Sequence, residues 1–355
     1  MTSGQGSGVT GAQSSDEFLY LKTMPSILEH NPMVLKTKGG FDYPQFAEIY
    51  EKTIASVWRH QEVPLDSDVR DWQFNSTQAE RELIAGVLKG FTSMELGIQC
   101  YWGTKVCEMF PKPEIQAMAR AFSTFETIHA FAYNYLSDEL GLDEYEEFIS
   151  DPVALQKVSM FFRECASDKV SLAVFSGAGE GVSLYSSFAI LLSFTKDGRY
   201  TGINSLISWS CLDEDTHSSA GCELFRVLVD EVGITDEEVQ AIYEGFKVIV
   251  NNEIAFIDNI FSEHGQVPLD KSDLKGFLKS RANNKLVELR LQPIFRLTPE
   301  EIEGAARISG WFDPMVRGAI SHDFFKTKKE GSSYTAKPNQ DFMAVDLTTL
   351  DLSLI

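Results

Sequence analysis

Residues 121–136 read AFSTFETIHAFAYNYL, and residues 214–217 read EDTH. Each stretch contains the pattern Glu-x-x-His. Three residues make almost one turn of an α-helix, so the glutamate and the histidine of each pattern face the same way and can share a metal ion. A single copy is a weak signal because the pattern often arises by chance. Two copies, each among apolar neighbours midway along a predicted long helix, indicate ligands inside a helical bundle.

The first copy lies on a stripe of inward-facing residues. Phe122, Glu126, His129 and Tyr133 recur at i, i+4, i+7 and i+11, which is the spacing of a buried helical face. A solvated Glu–His surface is the alternative, but its flanks would then be polar. A buried carboxylate must be paired with a cation or bind a metal. The stripe therefore favours a metal site over a surface pair.

A two-metal site of this kind also needs one glutamate from each of two other helices. Glu95 lies within a helical pattern between apolar residues, although taken alone it could equally be a surface acid. Glu180 is the only acid in the stretch VFSGAGEGVSLYSSFAILLSF, where the adjacent glycines weaken the helix and permit close approach. The order Glu, Glu-x-x-His, Glu, Glu-x-x-His predicts six ligands: Glu95, Glu126, His129, Glu180, Glu214 and His217.

The ligand types favour manganese or iron. Carboxylates and imidazoles together suit redox-active transition metals. Zinc is less expected because no thiolate joins the set, and calcium because it prefers oxygen ligands alone.

Helical periodicity dominates the rest of the chain, and no block shows the alternation of strands. We therefore predict an all-α bundle. Thr77 with Glu80, and Thr235 with Glu238, resemble capping boxes at the starts of long helices. The predicted helices cover approximately residues 43–62, 77–110, 114–140, 152–165, 168–196, 203–232, 235–265, 272–291 and 299–309.

Composition excludes several classes of protein. The net charge of -21 disfavours nucleic-acid binding. Five cysteines without a C-x-x-C pair argue against a disulfide framework or a thiolate zinc site. The chain has neither a signal-peptide pattern nor an apolar run long enough to span a membrane, so we expect a cytoplasmic protein. We expect a flexible Gly/Ser-rich lead-in at 1–40, a helical domain at 41–322 and a flexible tail at 323–355.

The segment FETIHAFAYNYL resembles the small subunit of class I ribonucleotide reductases, which carries these ligands with a tyrosine four residues after the histidine. Asp213-Glu214-x-x-His217 resembles the same family, and Val57-Trp58-Arg59 resembles its tryptophan segment. The resemblance spans most of residues 43–310, together with a tail of the expected kind. It implies a ferritin-like fold, a homodimer, and a dimetal cluster that is oxidised by an oxygen species and stores a one-electron oxidant.

The resemblance also implies roles for individual residues. Glu95, Glu126 and His129 would bind the first metal, and Glu180, Glu214 and His217 the second, with Glu126 and Glu214 bridging. Tyr133 would lie beside the cluster, where many members hold a radical; a core tyrosine is the alternative. Trp58 and Asp213 would connect the cluster to the surface, although Trp58 alone could simply pack. Tyr334 would relay the radical, and the final residues TTLDLSLI would dock onto the large subunit, which reduces ribonucleoside diphosphates to deoxyribonucleotides.

One departure bears on the metal. Members with a di-iron tyrosyl radical usually have Asp at the position of Glu95, and an apolar residue is expected where Ser210 stands. Glu is associated with clusters whose metals store the oxidant, while the manganese–iron type usually lacks the tyrosine. Glu95 together with Tyr133 therefore favours dimanganese, then manganese–iron, then di-iron.

Two other classes fit less well. A dimetal oxidase acting on its own small or lipid substrate would need neither Tyr334 nor a docking terminus, and a ferritin-type metal store would lack the pair Trp58 and Asp213. We expect no regulatory ATP-binding domain before the bundle, because the lead-in is short and polar.

Overall fold

In the computed structural model of the protein, the described residues are 26–29, 40–142, 165–263 and 268–330. These ranges contain helices and no strand, as predicted. The α-helices discussed below are α1 (Pro44–Ala55), α2 (Asp66–Arg70), α3 (Gln78–Cys100), α4 (Pro113–Leu140), α5 (Asp168–Ala173), α6 (Tyr185–Ser193), α7 (Thr201–Val232), α8 (Asp236–Glu263), α9 (Lys271–Glu288) and α10 (Pro299–Glu330).

The long helices begin and end where local chemistry requires. At the start of α3, the Thr77 hydroxyl accepts a hydrogen bond from the backbone N–H of Glu80, whose carboxylate accepts one from the N–H of Thr77. The equivalent bonds before α8 confirm the second predicted capping box. Gly141 follows α4 and Gly233 follows α7, both with positive φ. The predicted bounds of α4 and α7 are therefore confirmed to within a few residues.

The predicted helix over 43–62 was too long, because α1 ends at Ala55. Both the backbone N–H and the hydroxyl of Ser56 donate hydrogen bonds to the carbonyl of Thr53, which closes the last turn. Arg59 is extended, with φ -131° and ψ 134°. Trp58 therefore lies in a connecting segment and not on a helix.

Two stretches of wider π-helical turns interrupt helices that carry predicted ligands. The first, Tyr101–Val106, continues α3 toward Met109, and the second, Val174–Ser183, joins α5 to α6. The sequence indicated only a glycine-weakened helix over 168–196. Insertions of this kind are common at functional sites.

Glycines allow a close approach around the second π-helical stretch. A Cβ added at Gly181 would lie 2.6 Å from the Ser218 hydroxyl of α7, and one at Gly177 would lie 2.8 Å from the Phe246 ring of α8. Such distances are shorter than real Cβ contacts, so the neighbouring helices could not pack as they do around a larger residue. The predicted close approach is confirmed at Gly181, next to Glu180, and Gly177 shows the same behaviour three residues before Glu180.

Other helix bounds differ from the sequence analysis or fall outside the described residues. The last helix runs to Glu330 and not to 309. The helix predicted at 152–165 lies almost entirely outside the described residues, as do the lead-in and most of the predicted tail. No helix among the described residues is both long and apolar enough to cross a membrane.

Helix packing brings the predicted ligand faces together. α3 packs along α4, and α7 lies against α6 and the π-helical stretch Val174–Ser183. Large aromatic side chains fill the space between them and are fully buried, including Phe91, Phe122, Phe125, Tyr133 and Phe188. This apolar surrounding keeps water away from the charged groups that the four helical segments carry inward.

Candidate metal centre

The six predicted ligands lie together in the core, and each is at most 1% exposed. They form two groups, in each of which one potential ligand atom per residue lies within 4.8 Å of the others. The first group is Glu95, Glu126, His129 and Glu214; the second is Glu126, Glu180, Glu214 and His217. Glu126 and Glu214 belong to both groups, which is the placement expected of bridging carboxylates.

Each histidine faces the shared carboxylates. Nδ1 of His129 lies 2.9 Å from Oε1 of Glu214, 3.2 Å from Oε2 of Glu126 and 3.8 Å from Oε2 of Glu95. Nδ1 of His217 lies 2.6 Å from Oε1 of Glu126 and 3.9 Å from Oε2 of Glu214. The two imidazole rings are 6.2 Å apart between centroids. The shared carboxylates thus stand between two nitrogen donors.

Many of these buried atoms have no hydrogen-bond partner among the described residues. They are both oxygens of Glu95, Glu126 and Glu214, Oε2 of Glu180, Nδ1 of His129 and both ring nitrogens of His217. Buried polar atoms without partners are costly, so the arrangement is explained if they bind cations. Four carboxylates could carry four negative charges, which two divalent cations would neutralise. The donor set therefore fits two transition-metal ions.

The raised pKa values of three buried glutamates show that the site disfavours their charged forms when no cation is bound. Burial raises the pKa of Glu95 and that of Glu214 to about 8, and the charge of Glu126 adds to the effect on both. The pKa of Glu180 also rises well above its usual value, because of burial and then the neighbouring carboxylates. Without metal, the folded site therefore retains protons that metal ions would displace.

The His129 imidazole is held from its far side by Asp213. Oδ2 of Asp213 lies 3.1 Å from Nε2 of His129 and accepts a 2.8 Å hydrogen bond from the indole N–H of Trp58. Burial alone would lower the pKa of His129, but the hydrogen bond to Asp213 and the glutamate carboxylates close to Nδ1 raise it well above the usual value. A carboxylate in this position fixes the ring orientation that a metal-binding histidine needs.

Tyr133 is fully buried beside the first group. Its ring centroid lies 6.4 Å from that of His129 and 4.6 Å from that of Phe91, on which it stacks. Burial, reinforced by the charge of Glu95, raises the pKa of Tyr133 well above its usual value, while the nearby Ser210 hydroxyl acts in the opposite direction. Tyr133 is therefore a neutral phenol close to the site. Tyr334 lies outside the described residues.

Trp102 is a contact that the sequence analysis missed. Its buried indole N–H donates a hydrogen bond to Oε1 of Glu180. Trp102 follows Glu95 by seven residues, so the helical spacing already indicated that both side chains share a face. The partner could not be deduced, because Glu180 is 78 residues away along the chain.

α9 adds a cationic side chain, that of Arg281, which the sequence analysis also missed. Arg281 donates a 3.1 Å hydrogen bond to the carbonyl of Gly181 and stacks 3.3 Å above the ring of Tyr185. Its guanidinium lies 3.6 Å from Asp215. These contacts clamp the π-helical stretch on the side next to Glu180.

Comparison with known proteins points to one family. A family model described as ribonucleotide reductase, small chain, matches residues 39–301. The probable ribonucleoside-diphosphate reductase small subunit of Invertebrate iridescent virus 6 is 28% identical, over 73% of this chain and 84% of that protein. Ribonucleoside-diphosphate reductase 2 subunit beta of Escherichia coli strain K12 is 22% identical, over 81% of this chain and 89% of that protein.

Two solved structures have the same fold. Dimanganese(II)-NrdF of Streptococcus sanguinis superposes with a TM-score of 0.67 at 18% identity, covering 82% of this chain and 100% of that one. A ribonucleotide reductase homodimer from Saccharomyces cerevisiae gives 0.68 at 17% identity, covering 84% and 96%. At these identities the likeness concerns the fold alone.

Proposed function

Because this chain belongs to the ribonucleotide reductase small-chain family, we propose that its buried carboxylate–histidine cluster binds two metal ions and generates the radical used by a large subunit. The large subunit would reduce ribonucleoside diphosphates to deoxyribonucleotides. The observation that carries this proposal is the pair of ligand groups sharing Glu126 and Glu214 in a core closed to water.

The six side chains have separate tasks in this proposal. Glu95, Glu126 and His129 hold the first metal, while Glu180, Glu214 and His217 hold the second, with Glu126 and Glu214 bridging. When bound, the metal pair supplies the stored one-electron oxidant. The surrounding side chains orient the ligands and keep water out, which protects the stored oxidant from side reactions.

Trp58 and Asp213 would form the exit from the site. Asp213 contacts both His129 and the Trp58 indole through one oxygen, so it joins a ligand to an oxidisable ring. Trp58 is 7% exposed, close to the surface of the described chain. From there, Tyr334 in the tail would carry the radical onward, and residues 348–355 would dock onto the large subunit.

We propose dimanganese as the working cluster. Glu95, in place of the aspartate of tyrosyl-radical members, supports an oxidant stored on metal, while Tyr133 counts against the manganese–iron type. The solved relative from Streptococcus sanguinis is titled as a dimanganese(II) protein. Manganese–iron ranks second and di-iron with a Tyr133 radical ranks third.

The proposed assembly is a homodimer that works with the large subunit. The solved relative from Saccharomyces cerevisiae is titled as a homodimer. Within this chain, residues 41–322 would form the metal-binding domain, while 1–40 and 323–355 would be flexible extensions.

Electron paramagnetic resonance with metal analysis tests the proposal. The protein is loaded with manganese, with iron or with both, and is then oxidised. We expect a multiline signal from two coupled manganese ions. Metal analysis should give about two manganese ions per chain, one for each ligand group. A tyrosyl signal with iron bound would instead place the oxidant on Tyr133 and overturn the reading of Glu95.

A further inference from the structure

A second tryptophan contacts the site from a different ligand. Trp58 reaches the first ligand group through Asp213 and His129, whereas the indole N–H of Trp102 bonds directly to Glu180 of the second group. Trp102 is fully buried. The site is therefore in hydrogen-bonded contact with two oxidisable indoles, only one of which belongs to the exit described above.

From Trp102, aromatic contacts continue outward. The Tyr101 ring stands edge-on to Trp102, with centroids 6.2 Å apart, and stacks on Phe175 at 3.5 Å. Its phenol hydroxyl lies 3.1 Å from the hydroxyl of Ser171, a residue that is half-buried. Contiguous aromatic rings thus lead from Glu180 to a hydroxyl at the edge of the core.

Tyr101 has what a tyrosine needs in order to exchange an electron. Burial raises the pKa of Tyr101, so the phenol keeps its proton until the ring is oxidised. An oxidised phenol must lose that proton, and the Ser171 hydroxyl offers a way out toward solvent. A buried tyrosine hydroxyl usually has a hydrogen-bond partner, and here that partner is a half-buried hydroxyl at the edge of the core.

We propose that Tyr101 and Trp102 form a second redox relay, through which a small one-electron reductant near Ser171 discharges the oxidised site without the large subunit. The proposal rests on the proposed function, because it needs an oxidant stored at the site. It gives the protein a way to remove an oxidant that no partner has used.

The electrons and protons balance as follows. Trp102 gives one electron to the oxidised site, while its N–H proton stays shared with Glu180. Tyr101 returns an electron to Trp102 and releases its phenolic proton through Ser171 to solvent. A reductant of the enediol class, with ascorbate as the probe, then gives Tyr101 an electron and a proton. In sum, the reductant loses one electron and one proton. The electron reaches the site, and one proton enters solvent.

The test compares the full-length chain with its Tyr101→Phe variant, both in a Tyr133→Phe background that removes the tyrosine beside His129. Each protein is metal-loaded, oxidised and mixed with ascorbate in the absence of the large subunit. The decay of the oxidised-site signal is then followed by paramagnetic resonance. We expect decay about tenfold slower in the variant, equivalent to a barrier higher by about 1.4 kcal/mol.

Tyr101→Phe isolates electron transfer from ligand positioning. The substitution retains the ring stacked on Phe175 and leaves the bond between Trp102 and Glu180 untouched, so metal content stays unchanged. Tyr200→Phe is the matched control. Tyr200 lies just before α7, and its buried hydroxyl pairs with Ser76 and not with a residue of the proposed relay. The oxidised-site signal of this control should decay at the same rate as that of the parent, the chain that carries Tyr133→Phe alone.

A tyrosyl signal during decay gives a second readout. In parent protein grown with ring-deuterated tyrosine, a transient signal should narrow, and it should be missing from Tyr101→Phe. Equal decay rates in parent and variant would overturn the relay and leave Trp102 as a positioning residue for Glu180. If the unsubstituted chain, with Tyr133 present, forms no oxidised state with any metal, the proposed function is overturned as well, before any variant is compared.

Discussion

Trp58 and His129 are joined through a single atom, Oδ2 of Asp213, which lies 2.8 Å from the indole nitrogen and 3.1 Å from Nε2 of the imidazole. Their rings are 5.7 Å apart and nearly parallel. One carboxylate oxygen therefore contacts both the imidazole of a proposed metal ligand and the indole of the tryptophan.

This arrangement separates two substitutions. Asp213→Asn should weaken binding of the first metal about 10–100-fold, because the amide no longer provides a charged acceptor for His129. Trp58→Phe should leave metal affinity unchanged. Both should lower turnover with the large subunit by more than about a hundredfold, or about 2.7 kcal/mol. Metal titration followed by a turnover assay checks each point, and equal affinities in the two variants would show that Asp213 does not orient His129.

Glu180→Ala and His217→Ala should each abolish stoichiometric metal binding without unfolding the helices. Each removes one of the four donor residues of the second group, and no described residue outside the six predicted ligands belongs to that group to replace it. Metal analysis after desalting, together with circular dichroism, provides the measurement. Glu114→Gln is the control, since Glu114 is also a buried acid but bonds to the backbone of Tyr43. Two metals per chain in both alanine variants would refute the assignment.

Tyr133→Phe should retain most of the activity if the metals store the oxidant. The phenyl ring keeps the stacking on Phe91 and loses only the hydroxyl near Ser210. Turnover with the large subunit is the measurement, with the unsubstituted chain as reference. A loss of about a hundredfold or more, about 2.7 kcal/mol, would mean that Tyr133 carries the oxidant.

The stability of the metal-free protein should fall as pH rises from about 4.5 to about 8. Folding raises the pKa of Glu95 and Glu214 from 4.5 to about 8, so in this window the folded chain holds more protons than the unfolded chain. The free energy of unfolding then decreases with pH. Urea unfolding at several pH values measures the slope.

The double variant Glu95→Gln/Glu214→Gln should lose much of this slope, because the amides do not titrate. The manganese-loaded protein should not show the fall either, since bound ligands are already deprotonated and metal affinity increases with pH. An identical slope in the metal-free parent and the double variant would contradict the link between these two carboxyls and stability.

Tyr334→Phe should leave the oxidised cluster intact but stop nucleotide reduction when the large subunit is added. The phenyl ring cannot release a proton upon oxidation, so radical transfer through the tail would end there. The cluster signal and turnover are measured on the same sample, with Ser333→Ala as a neighbouring control. Full turnover in Tyr334→Phe would remove this residue from the transfer route.

The grouping of the six side chains could be predicted because spacing along a helix fixes direction. Glu126 and His129, like Glu214 and His217, face one way whatever the packing, and apolar flanks place that face inside. Capping boxes and terminal glycines located the ends of the long helices for the same reason, since their hydrogen bonds are local.

Contacts between distant segments could not be read in this way. The side chains of residues 56–62 suit a helix, yet the chain leaves α1 at Ser56 and the Trp58 indole bonds to Asp213, 155 residues away. The bond between Trp102 and Glu180 is equally remote in sequence. Periodicity identifies the buried face of a residue, but it does not identify the partner.

The wide turns from Val174 to Ser183 make the length of this stretch as important as its composition. Each residue turns the chain by about 100° in an α-helix and by less in these wider turns, so deleting one residue upstream of Glu180 would rotate every later side chain relative to α5. Glu180 would then leave the core while its chemistry stayed the same. During evolution, a single substitution in this stretch could be offset by a change in one neighbouring side chain. An inserted or deleted residue would instead have to be offset by a second length change within the same ten positions, so that Glu180 still faces the core.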